Sequence, residues 1–179
     1  MSFTPPRRLP WLLLIALADI VLDRLTKAWI SKHIPMGGEI QLIPHVLDLS
    51  HWVNQGAAFS LFASAATPNT VRWGLVAFTL VAALVVFIAM IRLGSRFTLT
   101  TVALALILGG ALGNAHDRIA YGWVVDFIDV HWYGHHWPDF NVADSSIVIG
   151  ACMLLLDSLL PKKKQEAETR DQEPETGGQ

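Results

Sequence analysis

The sequence predicts an all-α membrane protein: a four-transmembrane-helix bundle with a small extracytoplasmic β-sheet and an extracytoplasmic loop or helix. Three observations carry this reading. Of the 179 residues, 53% are hydrophobic and only 16% charged, against roughly 25% charged in a soluble domain. Mean hydropathy is +0.43. The apolar residues also collect in four long runs, and a span needs about 20 of them.

The first run covers about residues 11–30, apolar early and polar late. A cleaved signal peptide is the rival reading, with Arg7 and Arg8 as its charged start and Ala16-Leu17-Ala18 as its cleavage site. Its apolar core, WLLLI, is shorter than the roughly 7–15 residues such a region needs, so a retained span is preferred. The second run, about 71–93, is the cleanest. The third covers about 97–113 and the fourth about 142–160. Arg7 and Arg8, Arg92 and Arg96, and Lys162 to Lys164 all fall on one side of a four-span arrangement. Positive charge favours the cytoplasm, so both termini are expected there. The connections 31–70 and 114–141 then face outward.

In the first outward loop, residues 39–62 alternate apolar residues with turn signals and read as short strands. The second loop is rich in Trp and Tyr, as at a headgroup belt. Residues 1–160 form one domain, and the polar stretch 161–179 reads as a disordered cytoplasmic tail. Cys152 is the only cysteine, so no intrachain disulfide forms. It reads as a small buried or lipid-facing side chain rather than a nucleophile.

The polar residues gather on the outward side. Asp23 and Lys27, four apart, share a helix face and can pair there; a direct role in substrate or lipid binding is the alternative. Asp19 lies a turn deeper, either paired with a polar neighbour or protonated. Asn54, Gln55 and Gly56 open NQGAAFSLF, whose small residues allow close backbone approach. Gly109, Gly110, Ala111 and Gly113 permit tight helix packing in lipid, and Asn114, Asp117 and Arg118 follow at once. A helix terminus explains Gly113 and Asn114 well.

Asp126 and Asp144 each stand in a short polar island beside an apolar run. Carboxylates at a bilayer edge are costly and mark function. They are 18 residues apart, so only a returning loop can bring them together. Asp144 alone reads as a carboxylate favoured at a helix N-terminus, and Asp126 alone as a loop charge. Converged, they form a pair sharing one proton. His131, His135 and His136 in HWYGHHW offer metal-ligand types, but the chain has no HExxH pattern. Solvated interfacial histidines are the preferred reading. A transporter or a non-catalytic assembly subunit remains a rival, although no inverted repeat supports transport.

Five motifs together resemble the lipoprotein signal peptidases, also called signal peptidase II. They are DRLTK at 23–27, NQGAAFSLF at 54–62, GGALGNAHDR at 109–118, VVDFID at 124–129 and FNVADSSI at 140–147. They occur in the family's order over residues 10–160. The resemblance implies an aspartyl endopeptidase of the bacterial inner membrane, with no metal and no cofactor. Its substrates would be diacylglyceryl-prolipoproteins, cut just before the lipid-modified cysteine. Such enzymes are targets of the cyclic peptide globomycin. The catalytic pair falls on Asp126 and Asp144. Asn54, Gly56, Asn114, Arg118 and Asn141 fall on binding or site-ordering positions, and Asp23, Lys27 and Asp117 on structural polar ones. The expected partners are these substrates and membrane lipids, with no nucleic acid and a monomeric enzyme. His116 and the HWYGHHW segment depart from the family pattern.

Overall fold

The computed structural model describes residues 7–56 and 67–160. In chain order it contains α1 (Leu9–His33), β1 (Glu39–Ile43), β2 (Leu47–Asn54), α2 (Pro68–Leu93), α3 (Leu99–Ala120), β3 (Val124–Trp132), β4 (His135–His136) and α4 (Val142–Leu159). Three helices are long and apolar enough to cross a membrane: α2 from Asn69, α3 and α4. The fourth, α1, has the length but carries Asp19, Asp23, Arg24 and Lys27 from its middle onward. Cys152 is exposed on α4. The tail after Leu160 and Phe59 and Phe62 lie outside the described residues.

The burial of α1 is inverted relative to a water-soluble helix. Leu12, Ala16, Asp19, Asp23, Lys27 and Ile30 form its buried stripe, at helical spacing. Lys27 is 2% exposed while Leu25 is 64% exposed. In water this arrangement would lose twice, by exposing leucine and burying ammonium. In lipid the apolar face is solvated and the charges must turn inward to find one another.

Helix α3 sits at the centre and packs against the other three. Its small residues set the separation. A Cβ added at Gly109 would lie 2.8 Å from the Ala16 carbonyl oxygen of α1, and one at Gly110 would lie 2.3 Å from the Ala143 carbonyl oxygen of α4. From the other side, a Cβ at Gly150 of α4 would lie 2.7 Å from the Ala103 carbonyl oxygen. With lipid as apolar as leucine, such close backbone packing is what holds helices together. Beneath it, Leu12, Ala83, Met90, Leu104 and Leu108 form the main apolar core.

Two expectations about extent are corrected. Helix α3 does not end near Gly113 but continues to Ala120. The polar residues of GNAHDR stay helical because their side-chain partners come from α1 and α4, so nothing compels the chain to leave the helix. The segment 114–141, expected to face outward as a loop or helix, instead continues α3 to Ala120 and then forms strand: β3 pairs antiparallel with β2, and β4 with β3, giving one sheet of order β1-β2-β3-β4. The run VVDFIDVHW is β-branched and aromatic, and its outer end does carry exposed Trp132, Tyr133 and Trp137. The sheet is joined to the helices through Phe127, which packs on Ile30 and Ile34 of the α1 end.

Helix packing of this closeness predicts an asymmetry between glycines. Gly110→Ala should cost about 1–3 kcal/mol by overpacking, read as a lower melting temperature in detergent. Gly74→Ala, where a Cβ meets nothing within 4 Å, should cause no loss. Equal stability of the two variants would contradict the packing described.

Candidate active site

The base of the site is a buried cation. Lys27 Nζ donates to Asp23 Oδ2 at 2.6 Å, to Asp117 Oδ2 at 2.7 Å and to Asn114 Oδ1 at 3.1 Å. The i,i+4 pair expected on α1 therefore exists, and α3 supplies the rest. Asp23 Oδ1 accepts the Ala143 backbone N–H at 3.0 Å, which ties α4 to the same group. Asp117 also accepts from Arg24, which donates to the Tyr121 hydroxyl at 2.9 Å as well. Asp19, a turn deeper, is paired: Ser146 Oγ donates to its Oδ1 at 2.6 Å.

Above this base stand the two aspartates. Asp144 lies in the first turn of α4, in a capping box with Asn141: the Asn141 side chain accepts from Asp144 N, and Asp144 accepts from Asn141 N. The same Asn141 donates from Nδ2 to Asp126 Oδ1 at 2.7 Å and to Asn114 Oδ1 at 3.4 Å. Asn114 donates from Nδ2 to Asp144 Oδ1 at 2.7 Å. One hydrogen-bonded chain thus runs Asp126–Asn141–Asn114–Asp144. Asn54, at the end of β2, donates to Asp126 Oδ2 at 2.9 Å and accepts the Gly56 N–H at 2.7 Å. Gly56 is buried with φ +101°, and its missing Cβ would lie 2.7 Å from Leu75. The positive φ favours glycine there.

Asp126 sits on β3 and is buried. Burial pushes its carboxyl up to about 6, the negative charge of Asp144 adds to this, and Asn54, Asn141 and Lys27 act against it. The Arg118 guanidinium feels Asp144, Asp126 and Asp117. Its Nη1 reaches only the Asn114 carbonyl, at 3.4 Å, and its Nε is buried without a hydrogen-bond partner among the described residues.

The structure gathers Asp23, Lys27, Asn54, Gly56, Asn114, Asp117, Arg118, Asp126, Asn141 and Asp144 into one connected region. Two arginines were not singled out from the sequence. Arg24 lies inside DRLTK and is one residue from Asp23, so the motif held its signal. Arg72 of α2 donates to the Arg118 and Ile119 carbonyls at 2.7 and 2.9 Å and thereby closes the end of α3; no pattern in the sequence pointed to it. A cleft of about 290 Å³ beside Arg24, Lys27, Tyr121 and Trp123 is lined by neither aspartate. His135 is exposed, as a solvated histidine would be. His136 is exposed but lies 2.9 Å from Asp129, and the expectation fails for His131, whose side chain is 10% exposed, because β4 folds back over it.

Residues 15–160 match the family model described as signal peptidase (SPase) II. The chain belongs to the signal peptidase II family. It is 45% identical over 160 residues to a lipoprotein signal peptidase of Pseudomonas putida, covering 89% of this chain and 92% of that one. Its identity to the lipoprotein signal peptidase of Pseudomonas aeruginosa is 44% over 161 residues, with 89% and 94% covered. A solved bacterial membrane enzyme superposes with a TM-score of 0.68 at 30% identity, covering 88% of this chain and 98% of that one. As a member of this family the protein is a multi-pass membrane peptidase that removes signal peptides from prolipoproteins.

Lys27→Met leaves Asp23 and Asp117 buried with their common cation gone. It should destabilise the protein by about 3–5 kcal/mol, the usual effect of breaking a buried ion pair from one side. Unfolding in detergent measures this, and an unchanged midpoint would remove Lys27 from the centre of the assembly.

Proposed function

We propose that Asp126 and Asp144 are the catalytic pair of an aspartyl endopeptidase. Its substrates are diacylglyceryl-modified prolipoproteins, cut just before the lipid-bearing cysteine. The observation that carries this is the hydrogen-bonded chain joining the two carboxylates, with Asp126 raised to about 6. Asp126 holds the proton. Asp144, at a helix N-terminus and accepting from Asn114 and Asn141, takes the ionised role.

In this mechanism Asp144 removes a proton from water as its oxygen attacks the scissile carbonyl. Asp126 gives its proton to the carbonyl oxygen, and Arg118 steadies the charge developing there. As the C–N bond breaks, the proton taken from water passes to the leaving amine, and Asp126 recovers its own as the carbonyl re-forms. Asn54, Asn114 and Asn141 fix the two carboxyl groups, so little reorganisation is needed. Nothing in these steps calls for a cofactor or metal.

The site is read as lying near the outer leaflet of the bacterial inner membrane, with α1 as a fourth span and both termini cytoplasmic. Arg8 lies over the Phe97 ring at 5.6 Å, so the start of α1 shares an end of the bundle with the α2–α3 turn and its arginines. The sheet and the aspartates occupy the other end, where a signal peptide could lie among helices while its lipid stays in the bilayer. Residues 1–160 act as one domain and 161–179 as a cytoplasmic tail. One copy carries every group named, which suits a monomer among membrane lipids.

Asp126→Asn and Asp144→Asn should each lower cleavage of a diacylated prolipoprotein at least about a hundredfold, with melting temperatures near that of the unaltered protein. Substantial cleavage by either variant would overturn the assignment. Since Asp126 must be protonated, and its proton leaves as pH rises through about 6, kcat/KM should fall on the alkaline side of that value. A flat profile between about pH 5 and 8 would assign the proton elsewhere.

A further inference from the structure

We propose that Asp129, His131 and His136, joined by Asp48, form a binding site for a zinc-class divalent cation on the outer sheet. This is separate from the peptidase chemistry and does not rest on it.

Strand pairing builds the site. Asp129 and His131 are two apart on β3 and share a face. Asp48 of β2 stands opposite Asp129, and His136 of β4 stands opposite His131. The register of the second pair is set by a two-residue turn, Tyr133-Gly134, with φ +48° and +78°, the left-handed conformation such hairpins use. His135 falls opposite Trp132 and so belongs to the other face.

The side chains are already at ligand spacing. His136 Nδ1 is 2.9 Å from both Asp129 oxygens. His131 Nδ1 is 3.6 Å from Asp129 Oδ2 and 3.9 Å from Asp48 Oδ2. Ligand atoms of Asp129, His131 and His136 all lie within 4.8 Å of one another. Around a tetrahedral zinc with bonds near 2.0–2.1 Å, neighbouring ligand atoms stand about 3.3 Å apart. Two imidazoles and two carboxylates are donors such an ion accepts.

Two further facts favour cation binding. His131 Nδ1 and Asp48 Oδ1 are buried and lack a hydrogen-bond partner among the described residues, although buried polar atoms are normally satisfied. Asp48 and Asp129 are also like charges directly across two strands, which is unfavourable. Asp139, held by Ser50, adds a third carboxylate nearby. Among the described residues no Lys or Arg pairs with any of the three. His136 is exposed and gives an ion access. An ion bound here would clasp β4 to β2 and β3, three residues beyond Asp126.

The test uses untagged, chelator-stripped protein in detergent, titrated with zinc chloride and followed by equilibrium dialysis, metal analysis and thermal unfolding. One zinc per chain and a higher melting temperature are expected. His131→Ala and His136→Ala should each weaken binding at least about a hundredfold, more than loss of an outer-shell partner costs. His135→Ala and Asp126→Asn should bind as the unaltered protein does. His136 is exposed, so its variant tests the site without threatening the fold. Absence of stoichiometric zinc, or equal binding by His136→Ala, would overturn the proposal.

Discussion

The buried ammonium of Lys27 is the interaction on which the rest of the molecule depends. Asp23, Asp117 and Asn114 converge on it from α1 and α3. Asp23 then carries the connection into the backbone of α4, and Asn114 carries it to Asp144 and Asn141. A lysine removed from water is expensive unless its hydrogens are all met, and here all three are. That requirement fixes how far α1 can slide or rotate against α3, because moving it by one turn would carry the Asp23–Lys27 pair away from buried Asp117 and Asn114.

Lipid makes this polar centre possible. In a water-soluble bundle the apolar residues would take the interior and the charges would face out. Here Leu13, Leu14, Leu17, Leu22 and Leu25 of α1 face outward, while Asp19, Asp23 and Lys27 are buried toward α3. Since apolar burial gives little drive between helices in a bilayer, association depends on glycine-mediated approach and on polar pairing. Both act at the same level of the bundle: Gly109 lies against Asp19 and Gly113 against Asp23. The glycines bring the backbones close enough for the carboxylates to be reached.

Much of this could be read from the chain because the bilayer imposes lengths and side preferences that composition records. The apolar run at 142–160 matches α4 to within one residue, and that at 71–93 matches α2 except for its first three residues. The end of α3 was misplaced because a polar run looks like a boundary when its partners are 90 residues away, as Lys27 and Arg24 are from Asp117. The sheet was half seen. Residues 39–62 read as short strands, and β1 and β2 occupy 39–54 of that stretch, whereas β3 is flanked by Tyr121, Trp123, Tyr133 and Trp137, so an interfacial loop fitted equally well. Asp126 and Asp144 stood out by being acidic near lipid. Their connection did not, since it passes through two asparagines whose side chains look unremarkable until the fold unites them.

Asn141 shows how fold and chemistry are joined. It begins α4 by capping Asp144 N, and Asp144 answers by accepting the Asn141 N–H. A helix start of this kind holds its first-turn carboxylate in one rotamer, so the same bonds that begin the helix aim Asp144. The remaining amide hydrogens of Asn141 turn toward Asp126 on β3, a strand held in place by β2 and by Phe127 against α1. A carboxylate on a helix and a carboxylate on a strand would ordinarily move independently. A single fully buried side chain bonded to both elements removes that freedom. Asparagine suits the position better than aspartate would, because a third carboxylate there would repel the two it has to align.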